Sequence, residues 1–199
     1  MKKILFILII ILTGCTKYTD LNNLTIIKSI GIKYDNGYTI YAQIYDEIKK
    51  DIDPKTKTIE SSGNTIKDTF NNLKKIVNKE IFLSHIDLLI LDINLKDINY
   101  NELINYSIYS NELRNDFLVI LSDNIKPLLT DTKYDEIENF IKTNDNIKNI
   151  INISFEEFAN NYLENTPFII TKIEYDNYFK YQNYFLNNHR LERITDEEN

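Results

Sequence analysis

Residues 88–91 (Leu-Leu-Ile-Leu) and residues 117–121 (Phe-Leu-Val-Ile-Leu) decide the fold, because each is an unbroken apolar run. Such runs are typical of strands that are covered on both faces. A helix is predicted beside each one: Asn64 or Thr65 caps the first, which runs to about Lys79, and residues 100–109 form the second. Two buried strands next to helices predict a sheet with helices packed against it.

Hairpins are predicted at both ends of the domain. Residues 24–33 and 38–45 flank Asp35-Asn36-Gly37, and residues 168–175 and 178–185 flank Asp176-Asn177. Asn and Gly tolerate the positive φ angles that tight turns require. Between the hairpins, short helices are predicted from Pro127, from Tyr134 and after a capping box formed by Ser154 and Glu157. The fold class is therefore mixed α/β (α+β): a central mixed sheet with helices packed on it and hairpins at both ends.

One helix carries a clear apolar stripe, and two segments look irregular. The stripe places Ile66, Phe70, Leu73, Ile76 and Val77 on one face. Residues 46–62 are charged and contain a proline, so a mobile loop is predicted there. Without a Gly/Ser linker, residues 24–191 are predicted to form a single domain, and the charged residues 192–199 are predicted to fray.

The N-terminus predicts an export signal and a lipid anchor. Lys2 and Lys3 precede an apolar run over residues 4–12, which is too short to cross a bilayer and is typical of a signal peptide. The run leads into Gly14 and Cys15, so residues 1–14 are predicted to be cleaved off between these two. Acylation of Cys15 with diacylglycerol and palmitate would then hold the protein by a tether, residues 15–23. The alternatives are a plain secretory signal and an uncleaved anchor.

Composition limits the classes of partner. The chain has 199 residues and a formal net charge of −7, which becomes more negative when the signal peptide leaves. An acidic surface argues against nucleic acid and against electrostatic docking on anionic lipid. Cys15 is the only cysteine, so no disulfide is expected within the chain. Membrane attachment must therefore come from the lipid or from a protein partner.

The inventory of catalytic residues is thin. The chain lacks a glycine-rich phosphate loop and a G-x-S-x-G elbow. A nucleophile set of Ser84, His85 and Asp87 is one interpretation, but neighbours in a strand point to opposite faces. His85 is therefore predicted to be structural, held by backbone or a carboxylate, and His189 to be solvated. No catalytic residue, no cofactor and no enzyme activity are predicted.

Two other groups of residues have a functional and a structural interpretation. Glu47, Asp51 and Asp53 could collect calcium, but their spacing matches no known loop, so no metal is predicted. The hairpin tyrosines, for instance Tyr175, Tyr178 and Tyr181, could bind a sugar or peptide. Cross-strand packing is the more ordinary role at alternate positions of a hairpin.

Several short motifs in order resemble the N-terminal domain of the Ger(x)C (GerAC-type) spore germination lipoproteins. They follow Leu12-Thr13-Gly14-Cys15, which fits the lipobox of bacterial lipoproteins, and cover nearly the whole mature chain. The structural motif residues that the resemblance carries over are Gly31, Gly63, His85 and Arg114. The matching stretches are Ile30-Gly31-Ile32, Ser61-Ser62-Gly63-Asn64-Thr65, residues 82–90, Glu112-Leu113-Arg114-Asn115-Asp116-Phe117 with the strand that follows, residues 155–163 and the closing hairpin.

The resemblance implies a non-enzymatic C subunit of a spore nutrient germinant receptor, acting in receptor assembly and signalling during germination. Its partners would be integral membrane receptor subunits, one permease-like and multi-span. It would sit on the outer face of the cell membrane, or of the inner spore membrane in a sporulating organism, through acylated Cys15. The alternative is a surface lipoprotein that binds a solute or peptide for a transporter, which needs a pocket lined by the hairpin tyrosines.

Overall fold

A computed structural model describes residues 24–46, 55–77, 80–94, 100–110 and 113–194. The predicted signal peptide, Cys15, the tether and residues 195–199 lie outside these ranges. The described residues contain nine strands: β1 (Leu24–Tyr34), β2 (Tyr38–Asp46), β3 (Lys55–Gly63), β4 (Glu80–Phe82), β5 (Leu88–Asp92), β6 (Leu118–Ser122), β7 (Phe168–Tyr175), β8 (Phe179–Asn187) and β9 (Arg190–Arg193). They also contain five α-helices: α1 (Ile66–Val77), α2 (Tyr100–Ser110), α3 (Ile125–Asp131), α4 (Tyr134–Asn146) and α5 (Phe155–Glu164).

All nine strands belong to one mixed sheet, which confirms the predicted fold class. Its order is β3-β2-β1-β5-β6-β7-β8-β9, with β4 paired to the start of β1. The central strands β1, β5, β6 and β7 are parallel, and antiparallel strands extend the sheet on both sides. The two predicted hairpins are confirmed, with Asn36 and Asn177 at φ angles of 54° and 61° in their turns.

The sheet separates two apolar cores. Helices α1, α2 and α5 cover one face, and α3 and α4 cover the other. Strand β5 is buried at every position, with Leu89 and Leu91 facing the first core and Leu88 and Ile90 the second. The prediction that this strand is covered on both faces is therefore confirmed.

Two predicted helix caps are confirmed. The Asp68 N–H donates to Oγ1 of Thr65 at 3.0 Å, and the Glu157 N–H donates to Oγ of Ser154 at 3.2 Å. These bonds satisfy backbone donors that a helix start leaves unpaired. The apolar stripe of α1 is right for Ile66, Phe70 and Leu73, which are buried, but Ile76 is 54% exposed.

Two segments predicted to be irregular are strands. Part of the predicted loop forms β3, in which every residue from Lys55 to Gly63 pairs with β2; residues 47–54 lie outside the described ranges. The prediction failed because a strand at the edge of a sheet needs no continuous apolar run. Polar residues such as the alternating Lys and Thr of β3 are compatible with a strand that has a neighbour on one side only. Likewise, Arg190–Arg193 pairs with β8 instead of fraying at residue 192, since Asn188 and His189 adopt the positive φ angles of a turn.

Candidate interaction surface

Gly31 lies where α3 packs directly on the middle of β1. A Cβ atom at this position would lie 2.0 Å from Cγ2 of Ile125 and 3.2 Å from Cδ1 of Leu129. No side chain fits in that space without moving the helix. The helix is also tied to the sheet by Gln43, whose Nε2 donates to the carbonyl oxygens of Leu129 and Thr132 at 2.9 and 2.7 Å. Gly31 thus permits one face of the sheet to be closed.

Gly63 lies at the close junction between β3 and α1. A Cβ here would be 2.7 Å from the backbone nitrogen of Thr69, and backbone atoms cannot easily move away. Hydrogen bonds from the Ser61 hydroxyl to the Thr69 carbonyl (2.9 Å) and from the Asn72 amide to the Ser62 carbonyl (2.9 Å) hold the same junction. The glycine therefore lets the helix start immediately beside its strand.

His85 ends a single 3₁₀ turn, Leu83–His85, that precedes β5. Its ring is exposed and lies 5.0 Å from the ring of Phe82, while Leu83 and Ile86 on either side are buried. The segment is not a strand, so the expected strand geometry of Ser84 and His85 does not apply. Because the imidazole is exposed, water can satisfy its nitrogens, and the expected backbone or carboxylate partner is not required.

Asp87 joins this turn to β1. Its side chain accepts a hydrogen bond from Nζ of Lys28 at 2.6 Å, and its backbone N–H donates to the Lys28 carbonyl at 2.9 Å. Both side chains of the ion pair are about one-third exposed. Lys28 lies at an irregularity in the pairing of β1 with β2, between Ile27 and Ser29. The sequence contains no sign of this ion pair, because Lys28 and Asp87 are 59 residues apart and belong to no shared motif.

Arg114 lies in the loop before β6 and forms an ion pair with Asp116. The hydrogen bond from the guanidinium lowers the pKa of Asp116, and the same bond raises the pKa of Arg114. The loop itself is held by its neighbours: Asn115 accepts from the hydroxyl of Ser107 in α2 at 3.2 Å and from the N–H of Glu156 at 2.9 Å. A rigid loop therefore presents an exposed charge pair.

The two charged segments meet at one end of the sheet. The Leu118 N–H donates to the Asp87 carbonyl at 3.0 Å, and β5 and β6 are parallel neighbours. The residues before these strands therefore lie side by side. We call this region the strand-start surface, defined by Lys28, His85, Asp87, Arg114 and Asp116. It combines paired charges with an exposed imidazole.

The other end of the parallel strands is closed by an ion network. Nζ of Lys172 lies 3.2 Å from Asp123 and 3.0 Å from Glu174. Burial opposes ionisation of Asp123, but its hydrogen bonds with Glu174 and Lys172 outweigh burial and lower its pKa. The hydrogen bond with Asp123, assisted by burial, raises the pKa of Glu174. One lysine and two carboxyl groups thus satisfy one another.

The hairpin tyrosines take part in packing between β7, β8 and α4. Phe140 stacks on Phe179 at 4.8 Å, and Tyr175 lies 5.0 Å from Phe179 and Tyr181 6.4 Å from Phe140, between ring centroids. Tyr178 is 61% exposed in the turn, with Lys180 over its ring. These contacts favour the packing interpretation for Tyr175 and Tyr181.

His189 is exposed, as expected, but it has specific neighbours. Its Nε2 lies 2.6 Å from Oδ1 of Asn165, and its ring lies 4.3 Å from that of Tyr162. These residues border a shallow cavity of about 10 Å³, room for about one water molecule. These contacts of His189 connect the β8–β9 turn to the end of α5.

The described residues offer no metal centre and no membrane-crossing helix. Among them, no three His, Cys, Asp or Glu side chains come together in a way that could hold a metal ion. Glu47, Asp51 and Asp53, the calcium alternative, lie outside the described ranges. None of the helices in the described part has the length and apolar content to cross a bilayer.

Comparison with known proteins identifies one family. The sequence model described as "Spore germination protein N-terminal domain" matches residues 17–175. No curated protein and no solved structure matches the chain. The match covers most of the described sheet, including β1, β5, β6 and β7 and both segments of the strand-start surface.

Proposed function

Because the chain belongs to the family of the spore germination protein N-terminal domain, the N-terminal domain of GerAC-type germination proteins, we propose that it is the lipid-anchored C subunit of a spore nutrient germinant receptor. Its role is to assemble the receptor and to couple its parts during germination. The observation that carries the proposal is the family match over residues 17–175, which begins two residues after the predicted acylation site, Cys15.

The proposed anchor is acylated Cys15, with cleavage between Gly14 and Cys15. Each methylene buried in a bilayer contributes about 0.8 kcal/mol, so two or three acyl chains hold a protein durably. The anchor places the folded domain on the outer face of the cell membrane, or of the inner spore membrane. There it meets the proposed partners, the integral membrane subunits of the receptor, of which one is permease-like and multi-span.

The proposed role is assembly and not catalysis. The charged side chains that the structure brings together are neutralised in pairs, as in Lys28–Asp87 and Arg114–Asp116. The polar groups at the opposite end are likewise engaged with one another, through Lys172. Exposed charge pairs on a rigid loop suit complementary docking to a protein partner, where charges set orientation and encounter rate.

The test is purification of the tagged, full-length lipoprotein from its native membrane in gentle detergent, followed by mass spectrometry. Recovery of a permease-like multi-span protein is the expected result. Recovery of the lipoprotein alone, or with a solute transporter, would contradict the receptor role and favour a surface lipoprotein that serves a transporter.

The matched control for the anchor is Cys15→Ala. Without the thiol no acyl chain can be attached, so we expect the variant to lose nearly all of its membrane association when partner subunits are absent. Fractionation of membranes from cells that lack the partners measures this. A variant that stays in the membrane fraction would show that Cys15 is not the anchor.

A further inference from the structure

The path of the chain brings three element ends to the start of β1. Strand β4 pairs in parallel with the first residues of β1, with Glu80 opposite Leu24 and Phe82 opposite Ile26. Helix α1 ends at Val77, shortly before β4. Helix α2 runs to the loop before β6, where Ser107 bonds to Asn115. The last turns of α1 and α2 therefore lie at the same end of the sheet as the strand-start surface.

This end exposes large apolar side chains. Ile76 is 54% exposed, Phe82 42%, Ile108 47% and Tyr109 79%. Single exposed apolar residues are ordinary on a protein surface. Here, however, one strand end and the last turns of two helices each contribute to the same end of the molecule. We call these four residues the apolar rim. Contiguous exposed apolar surface marks contact with a partner or a membrane, and the shared position of these four side chains at one end is the reason to look for such a contact there.

The length of chain before β1 favours the membrane, because it keeps this end of the domain near the bilayer. Cys15 and Leu24 are nine residues apart in sequence, so even a fully extended tether spans only about 30 Å. Strand β1 has 11 residues and is about 36 Å long, with its turn to β2 at the far end. The end of the sheet that carries the apolar rim can therefore touch the bilayer with the tether in any state, whereas the opposite end could touch it only with the tether almost fully stretched.

Resting on the proposed anchor at Cys15, we propose that the apolar rim seats in the interfacial layer of the membrane. In this orientation the starts of the parallel strands face the lipid. The ion network around Lys172, at the opposite end, faces the solvent. Tyr and aliphatic side chains favour the boundary between headgroups and acyl chains.

The single cysteine makes a direct test possible, because acylation uses Cys15 and any introduced cysteine is the only free thiol. The full-length lipidated chain carrying Tyr109→Cys is labelled with an environment-sensitive fluorophore. It is then placed in vesicles of phosphatidylethanolamine and phosphatidylglycerol that contain a lipid with a quencher near the headgroup. We expect a blue-shifted emission and loss of about half of the intensity, since the label enters the interface.

The matched control is Tyr178→Cys, because Tyr178 is a similarly exposed tyrosine in the turn after β7, at the opposite end of the strands. Its label is expected to stay in water and unquenched. Phe82→Cys provides a second position on the apolar rim and should behave as Tyr109→Cys does. Unchanged melting curves verify that each variant is folded.

Flotation of the same vesicles separates the two hypotheses. If the variants float, the anchor stands; an unquenched label at Tyr109→Cys and Phe82→Cys, or equal quenching at Tyr178→Cys, then overturns the proposed orientation alone. If the variants do not float, the proposed anchor fails, and the orientation that rests on it fails with it.

Discussion

The two ends of the parallel strands differ in how completely they are closed. At the carboxyl ends, Lys172 neutralises Asp123 and Glu174, and on the sheet face beside them α3 packs directly onto β1 over Gly31. At the strand starts, the Arg114–Asp116 pair is exposed and Tyr109 projects into solvent. Open α/β sheets commonly bind small ligands at the carboxyl ends of their strands. In this domain the strand starts carry an exposed charge pair and four exposed apolar side chains, and this combination suits contact with a large partner surface.

The largest expected effect tests the packing of α3 on β1. Gly31→Ala places a methyl group against Ile125 and should reduce the free energy of unfolding by about 1–3 kcal/mol, because α3 must move away from β1. Urea denaturation measures the change. Lys33→Ala, an exposed position on the same strand, is the control and should stay within about 0.5 kcal/mol of wild type.

A second substitution shows whether the clash with Ile125 is the cause. Ile125→Ala alone opens a cavity and destabilises the protein, but in combination with Gly31→Ala it removes the clashing methyl group. We therefore expect the double variant to lose less free energy than the sum of the single variants, by about 1 kcal/mol. Strict additivity would show that α3 does not press on Gly31.

A smaller effect is expected at the open end, and it concerns binding. Arg114→Glu reverses a charge whose side chain is 53% exposed, so the melting temperature should not change while recovery of the membrane partner falls several-fold. Lys126→Glu is the matched control: Lys126 is 58% exposed, pairs with Glu60 and belongs to α3 on the closed side. Equal losses from both variants would show that the strand-start surface is not the contact.

The smallest effects concern pH and the ion network. Because the pKa of Asp123 is lowered, its charged form stabilises the fold above the ordinary value of 3.8, and this stability is lost as pH falls through the folded pKa. Asp123→Asn should therefore destabilise the protein at pH 7, by less than about 1 kcal/mol because the site is partly exposed. The difference between Asp123→Asn and wild type should disappear below the folded pKa of Asp123. Denaturation at pH 7 and at such an acidic pH measures it.

Glu174→Gln should act in the opposite direction. The raised pKa of Glu174 means that the protonated form is favoured in the fold; this stability is present below the ordinary value of 4.5 and is lost as pH rises through the folded pKa. Glutamine keeps a hydrogen bond and cannot ionise, so the variant should be slightly more stable than wild type at pH 7. A loss of stability there would mean that Lys172 needs both negative charges.

Local signals in the sequence predicted the elements that local physics controls. Thr65 and Ser154 cap helices because their hydroxyl groups reach backbone donors nearby in the chain. Asn36 and Asn177 form turns because asparagine tolerates positive φ. The buried run at residues 88–91 predicted a central strand because no other element suits a short apolar stretch covered on both sides.

Edges and exposures were predicted less well. Strand β3 was taken for a loop because it lies at the edge of the sheet, where its Lys and Thr residues show no continuous apolar pattern and Lys57 is exposed. Ile76 fits the apolar period of α1, yet it is 54% exposed, whereas Leu73 one turn earlier is fully buried. His85 was expected to have strand geometry at the entrance to the buried strand, but it ends a 3₁₀ turn. In each case the neighbours that decide the outcome are distant in sequence.

The sequence by itself determined most of the helices, the two buried strands, the hairpin turns and the mixed α/β class, because hydrophobic period, caps and turn residues act over a few positions. Only the tertiary structure decided the strand order, the pairing of Lys28 with Asp87 across 59 residues, and the meeting of Asp87 and Leu118 at one end of the sheet. Such contacts depend on how parallel strands are brought together by their crossover helices, and no local pattern encodes that register.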